Sequence, residues 1–463
     1  MSGNTTTARY GALSTDGTEE RLPRVIGLGS ATSVVVGTMV GSGIFSVPAV
    51  VAAELPSPKT AMICWILGGL ITLCGALSVA ELATALPRSG GPFAYLLEAY
   101  GPLPAFLLGW TALTVIMGAV LGALATILVD YLAVFVPLTP AELHEAAALL
   151  LVVAGTVNYV GMRRAAAVMR VTSAAKLLAL AALGALAFTA SHGRVDHPAA
   201  QPLSGASVSA IVAALIPIMW AYDGWQDLAC IGGEVMQPQR TLPLALGLGT
   251  GCVVAVYVLV NFGFYHALPS PAIAHSHLVA AAVATRIPAL RGNGAAVVAG
   301  IVLVSTFSSI NGVMMAGSRV FYAMADRGLF FAAMGRISRR FRTPSVAIWL
   351  ATGLGCASVL GNGFAQLTHR LVLGGWPFFM LTVAAVFVLR RTRPDLPRPY
   401  RTWGYPVVPA VFLLASLGVF GFSLTTDPGE TMREFLIILG GIPVYYLWRG
   451  LAGRYRNLYV RLT

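Results

Sequence analysis

Residues 37–45 read Gly37-Thr38-Met39-Val40-Gly41-Ser42-Gly43-Ile44-Phe45, and Pro48 follows shortly after. The stretch sits inside an apolar run, near residues 25–51, long enough to cross a bilayer as a helix, which takes about 20 residues. Glycine weakens a helix by about 1 kcal/mol against alanine, so three glycines in seven residues mark a place where the helix is open to interruption. Alone, the stretch reads equally as a small-residue face for close packing of membrane helices. In lipid an unpaired backbone amide or carbonyl costs several kcal/mol. A break is therefore tolerated only where the freed groups face protein, a cavity or a ligand.

The rest of the chain places that run in a membrane. Of its 463 residues 57% are hydrophobic and only 10% charged, against about 25% charged in a soluble domain. The net charge of +12 comes from basic residues scattered singly between apolar runs. It lacks the basic patches interleaved with aromatics that bind nucleic acid. Apolar runs lie near 25–51, 60–84, 103–134, 146–160, 171–190, 208–233, 244–268, 295–322, 345–360, 366–390, 406–424 and 434–449, predicting twelve spans. With the N-terminus inside, the inner segments collect most of the arginines, from Arg9, Arg21 and Arg24 to Arg454, Arg456 and Arg461. The outer ones hold Lys59, Arg194, Arg286, Arg291, Arg370 and Arg433. By the positive-inside bias both termini are expected in the cytosol of a cell-membrane protein. That placement makes the Asn4-Thr5-Thr6 sequon meaningless, and the polar residues 1–24 are not a signal peptide. The outer 269–294 segment is Ala-rich enough for a short helix, and the basic inner loop 323–344 is a second candidate for one. The five cysteines, Cys64, Cys74, Cys230, Cys252 and Cys356, fall in apolar runs without metal-ligand or redox spacing.

The sixth run decides how the first is read. Pro217 precedes Trp220-Ala221-Tyr222-Asp223-Gly224-Trp225, which puts an acid and a glycine at mid-membrane depth. An ionisable side chain there costs roughly 2.5–3.5 kcal/mol even on the lenient insertion scale. Runs one and six hold matching places in two five-span halves, and paired interruptions are the sequence pointer to an inverted-repeat transporter with its site between the halves. A half-helix that starts at a break offers amides and a positive dipole end to a carboxylate. One that stops there offers carbonyls to an ammonium. An α-amino acid carries both groups on one carbon.

With these residues in hand, the chain resembles the amino acid–polyamine–organocation superfamily, and within it the L-type amino-acid transporters. The likeness runs from about residue 25 to 345. It rests on Gly37–Phe45, on Ala80-Glu81-Leu82 followed by Ser89-Gly90-Gly91-Pro92-Phe93-Ala94-Tyr95, and on Val171–Leu180 around Lys176. Trp220–Trp225 with Gly233-Glu234 and Leu242-Pro243, and Ser308-Ser309-Ile310-Asn311-Gly312 with Ser318-Arg319, complete it. The resemblance implies an all-α integral membrane protein of the LeuT type: five plus five inverted spans (about 25–190 and 208–390), helices one and six discontinuous. Two added helices follow at 405–449, and the cytosolic segments 1–24 and 450–463 flank the whole. It implies substrate carboxylate on the backbone around Gly41, Ser42, Gly43 and Ile44. The substrate amine would meet carbonyls near Met39 and at Trp220, Ala221 and Asp223, with Trp220 as an aromatic gate. It places the Lys176 ammonium where sodium-coupled relatives bind an ion, bridging first-helix carbonyls to the hydroxyls of Ser305 and Ser309, and so implies sodium independence. Asp223 is open between contacting a cationic side chain and pairing locally. Glu81 and Glu234 are open between an inner gate with residues such as Arg88 or Arg319 and plain solvated helix ends, the latter being the expectation. Animal heteromeric members join a glycoprotein subunit through a cysteine in an outer loop. Here Pro137-Leu138-Thr139-Pro140-Ala141-Glu142 has none, so a stand-alone prokaryotic member without a disulfide-linked subunit is expected.

The function expected is sodium-independent transport of L-amino acids by alternating access, as an exchanger or with a proton. A polyamine or organic-cation carrier on the same fold and a membrane amino-acid sensor that does not translocate are the alternatives. No enzyme is expected, since the chain has no HExxH, Gly-x-Ser-x-Gly or paired catalytic acids, and no phosphate-binding loop for an ATP-driven pump. No cofactor or metal is expected either, and His275 with His277 reads as a polar loop.

Overall fold

The computed structural model describes residues 22–55, 57–190, 207–276, 278–290, 292–361, 364–426 and 428–462. The sequon at Asn4, most of the N-terminal tail, Arg194, Arg291 and His277 lie outside them. The described chain is helical, with one isolated bridge joining Ile26 to Val235. Among the described residues seven helices are long and apolar enough to cross a membrane. An eighth span results if two helices bent by 42° at a short break are counted together.

That bent pair is α1 (Leu28–Met39) and α2 (Gly43–Glu54). Next come α3 (Pro58–Ala85) and the short α4 (Pro92–Tyr100). Helix α5 (Pro102–Thr111) passes through a π-turn at Ala112–Ile116 into α6 (Met117–Leu132). Helices α7 (Pro140–Tyr159) and α8 (Met162–Ala187) follow. After them come α9 (Val208–Ala221), a turn, and α10 (Asp227–Cys230), then α11 (Pro238–Ala267). Two short helices, α12 (Ser270–Ala274) and α13 (Val279–Ala284), fill the Ala-rich segment. The long helices α14 (Gly294–Asp326), α15 (Ser345–Gly361), α16 (Phe364–Thr392), α17 (Val407–Thr426) and α18 (Pro428–Leu462) finish the chain.

Helix starts follow local chemistry. Ser57 and Ser207 accept the amides of Thr60 and Ala210, and Thr139 with Glu142 forms a reciprocal capping box ahead of α7. Prolines 58, 92, 102, 140 and 238 stand in the first turn of their helices, where the missing N–H would have had no intrahelical acceptor. In the basic 323–344 segment α14 runs as far as Asp326, and one 3₁₀ turn, Ala332–Gly335, forms beyond it. Helix α18 continues to Leu462.

The broken element lies at the centre. Helix α1 packs against α8, α11 and α14, while α2 packs against α9. Most of α1 from Val34 onward is buried. Helices α12 and α13 cover α2 at one end. At the other, the strand-like segment Val25-Ile26 donates its amides to the Glu234 carbonyl and accepts from Met236.

Candidate functional site

Helix α1 stops at Met39 and α2 starts at Gly43. The carbonyls freed at the end of α1 are taken up by neighbouring side chains. Lys176 Nζ on α8 donates to the carbonyls of Gly37 (2.7 Å) and Val40 (2.5 Å), and more distantly to that of Ser305 (3.4 Å). From α14, Ser305 Oγ donates to Val40 (2.8 Å), and Ser309 Oγ to Gly37 (2.9 Å) and Val40 (3.1 Å). From α11, Tyr257 Oη donates to Met39 (3.1 Å), which also accepts the Gly41 amide. Lys176 is 1% exposed, and Ser305 and Ser309 are as deeply buried. The expected bridge is thus corrected in its chemistry. The ammonium reaches a serine carbonyl, not the hydroxyls, and ammonium and hydroxyls converge in parallel on the same two α1 carbonyls. A hydroxyl has a single proton to give, and both serines spend theirs on α1.

The second interruption meets the first. Helix α9 ends at Ala221, and the turn to α10 passes through Gly224 at φ +101°, in the left-handed region that favours glycine. A Cβ there would lie 2.7 Å from the Thr38 carbonyl carbon. The Gly224 carbonyl in turn accepts from Thr38 Oγ1 at 2.8 Å. On the other side, a Cβ on Gly43 would lie 2.8 Å from Ala221 Cα and 3.5 Å from the Trp220 ring. The two breaks therefore touch backbone to backbone, through glycines that leave no room for a side chain.

Around this contact is a cavity of about 150 Å³. Of the predicted substrate residues, Met39, Gly41, Ser42, Gly43, Trp220, Ala221 and Asp223 line it. Ile44, in the first turn of α2, is fully buried and outside its lining. Ser309 borders the cavity, whereas Lys176 and Ser305 stand behind α1. The amides that open α2 have no acceptor within their own helix, and Ser42 Oγ, on a residue 3% exposed, has no hydrogen-bond partner among the described residues. The Met39 carbonyl, expected to meet a substrate amine, already accepts from Tyr257 Oη and the Gly41 amide.

The family follows from the whole chain. The amino acid permease model matches residues 26–445. This chain belongs to the amino acid permease family. The permease is similar to the serine/threonine exchanger SteT of Bacillus subtilis, 30% identical over 428 residues, which covers 92% of this chain and 97% of that protein. It is similar to the human b(0,+)-type amino acid transporter 1, 31% identical over 439 residues, 92% of this chain and 88% of the relative. The human cystine/glutamate transporter is 30% identical over 442 residues, 92% and 86%. The permease is thus a membrane transporter, not an enzyme.

Other parts of the permease site are less legible in the sequence. Ile116, Met117, Val120 and Leu124 line the cavity where the π-turn shifts the register between α5 and α6. Such turns have no sequence signature, though they gather at functional sites. Val313 and Phe379 contribute from α14 and α16. Gln226 and Asp227 also line the cavity, just beyond the Trp220–Trp225 stretch that drew attention to Asp223. Gln226 is 6% exposed and its Oε1 has no partner among the described residues.

At the end near Val25 the expectation of solvated acids is corrected. Glu234 is paired with Arg319 by two bonds, Nε to Oε1 at 2.9 Å and Nη2 to Oε2 at 3.3 Å, both side chains fully buried. Glu81, 1% exposed, binds Arg390 at 2.8 and 2.6 Å and accepts the Thr402 amide at 2.7 Å. Arg398 stands 3.5 Å away. Arg88 instead pairs with Glu98 at 3.6 Å, which Arg393 also binds. Both acids sit on helices but face other helices, so charge at a helix end did not mean water.

Proposed function

We propose that the protein exchanges L-amino acids across the cell membrane by alternating access, without sodium. The substrate α-carboxylate sits on the amides around Ser42, Gly43 and Ile44. Since the Met39 carbonyl is engaged, the α-amine falls to the carbonyl end of α9, at Ala221 and Asp223, with Trp220 closing over the bound molecule. One observation carries the reading: the two helix interruptions touch at a cavity lined by seven of the eight predicted substrate residues. Exchange is supported by the likeness to SteT, a serine/threonine exchanger. Sodium independence is supported by Lys176, whose fixed charge holds the Gly37 and Val40 carbonyls that a cation would otherwise bind.

In this account twelve helices span the membrane as a five-plus-five inverted repeat with two helices added, and both termini face the cytosol. The helices below the length or hydropathy of an independent span, such as α9 and α15, cross because they are packed among longer ones. The cysteine-free Pro137–Glu142 connection supports function without a disulfide-linked subunit.

Purified protein in liposomes tests the proposal. Uptake of labelled amino acid is expected only into liposomes preloaded with amino acid, and equally in sodium and choline buffers. Uptake that needs a sodium gradient contradicts the role of Lys176. Tight binding without any uptake would make the protein a sensor.

A further inference from the structure

The cavity carries two carboxylates, Asp223 and Asp227, and no lysine, arginine or histidine among its lining residues. Lys176 does not balance them, because its ammonium is spent on carbonyls on the far side of α1. No side-chain hydrogen bond or ion pair engages Asp227 among the described residues. Its own amide is bonded to the Gly224 carbonyl at 3.1 Å, which fixes the residue at the mouth of the turn. Next to it, Gln226 presents a buried Oε1 without a partner, and across the cavity Ser42 presents a buried Oγ in the same condition. Three acceptor groups, two of them ionisable acids, thus face one cavity that also holds an unused hydroxyl. A carboxylate is retained at membrane depth when something pairs with it, and hydrogen bonds between a cationic nitrogen and a carboxylate are among the strongest a site can offer.

Resting on the reading of this cavity as the amino-acid site, we propose that Asp227, with Gln226 Oε1, forms a side-chain subsite that selects amino acids bearing an ammonium or guanidinium side chain. The amino acid's backbone is held at the two helix breaks, as above. Its side chain runs along the turn between α9 and α10, where Asp227 and Gln226 receive its N–H groups. Asp227 is then a specificity residue: it does not read the part common to all amino acids. A neutral apolar side chain placed there would leave the carboxylate and the amide oxygen buried and unpaired, so discrimination comes as much from that penalty as from the new bonds.

Wild-type protein, Asp227→Asn and Asp227→Glu, each purified and passed through gel filtration to establish folding, test this with L-arginine and L-leucine as probes. Binding in detergent is measured alongside exchange in liposomes, so the outcome does not depend on translocation. Wild type is expected to bind arginine at least tenfold more tightly than leucine. Asp227→Asn should lower that ratio at least tenfold, and Asp227→Glu, which keeps the charge, should restore most of it. A wild type that prefers leucine, or an Asp227→Asn variant whose arginine-to-leucine ratio is unchanged, overturns the subsite. Failure to bind any amino acid overturns instead the reading of the cavity on which it rests.

Discussion

Lys176 is an uncommon solution to a common problem. Any helix that stops inside a membrane leaves carbonyls to be satisfied, and here an ammonium and three hydroxyls supply them from three different helices. In the proposed reading the fixed charge stands in for a mobile cation. Replacing Lys176 by Met removes the two short bonds to Gly37 and Val40. Hydrogen bonds to charged groups contribute about 1.5–3 kcal/mol each, but the serine hydroxyls remain on both carbonyls. The net loss is therefore expected near the lower end, about 2 kcal/mol, seen as a lower melting temperature in detergent. Exchange in liposomes should fall more than tenfold, because the end of α1 loses its anchor to α8. An unchanged exchange rate would mean that the serines alone hold the break.

At the scale of elements, the buried pair Arg319–Glu234 ties α14 to the turn after α10, and Arg390–Glu81 ties α16 to α3. Removing one partner of a buried pair typically costs about 3–5 kcal/mol, whereas replacing both by apolar groups is often neutral. Glu234→Gln is accordingly expected to lower the melting temperature strongly, and Glu234→Leu combined with Arg319→Met to recover most of the loss. If the double variant melts no higher than the single one, the pair holds more than its own two charges. These pairs also mark where sequence reading stopped. Gly37–Phe45 and Trp220–Trp225 declared themselves, because glycine, proline and acid are each costly in an apolar run and their coincidence needs an explanation. Glu81 and Glu234 lie near run ends, where charge is cheap and needs none. Which helix an acid faces is a tertiary fact, set by chain segments more than 80 residues away in one case and 300 in the other. The π-turn at Ala112–Ile116 was hidden for a different reason. Its composition is that of any apolar helix, and only packing against its neighbours decides the extra residue per turn.

For the whole molecule, the proposed reading divides labour between two sorts of recognition. Backbone groups at two interrupted helices would handle what every amino acid shares, and side chains lining the cavity from α6, α14, α16 and the turn before α10 would handle what differs. Such a division fits relatives of similar sequence as different as a serine/threonine exchanger and a cystine/glutamate transporter. It also separates this account from a polyamine carrier on the same fold, which would have no carboxylate to place on α2. The most direct test is competition for exchange by matched analogues of one substrate. Against labelled arginine, the account predicts that unlabelled arginine competes fully. Agmatine, which lacks the α-carboxylate, and the α-keto acid of arginine, which lacks the α-amine, should each compete at least a hundredfold more weakly. Agmatine competing as well as arginine would contradict the assignment of Ser42, Gly43 and Ile44 to the carboxylate, and with it the central claim that the two breaks read the backbone of an amino acid.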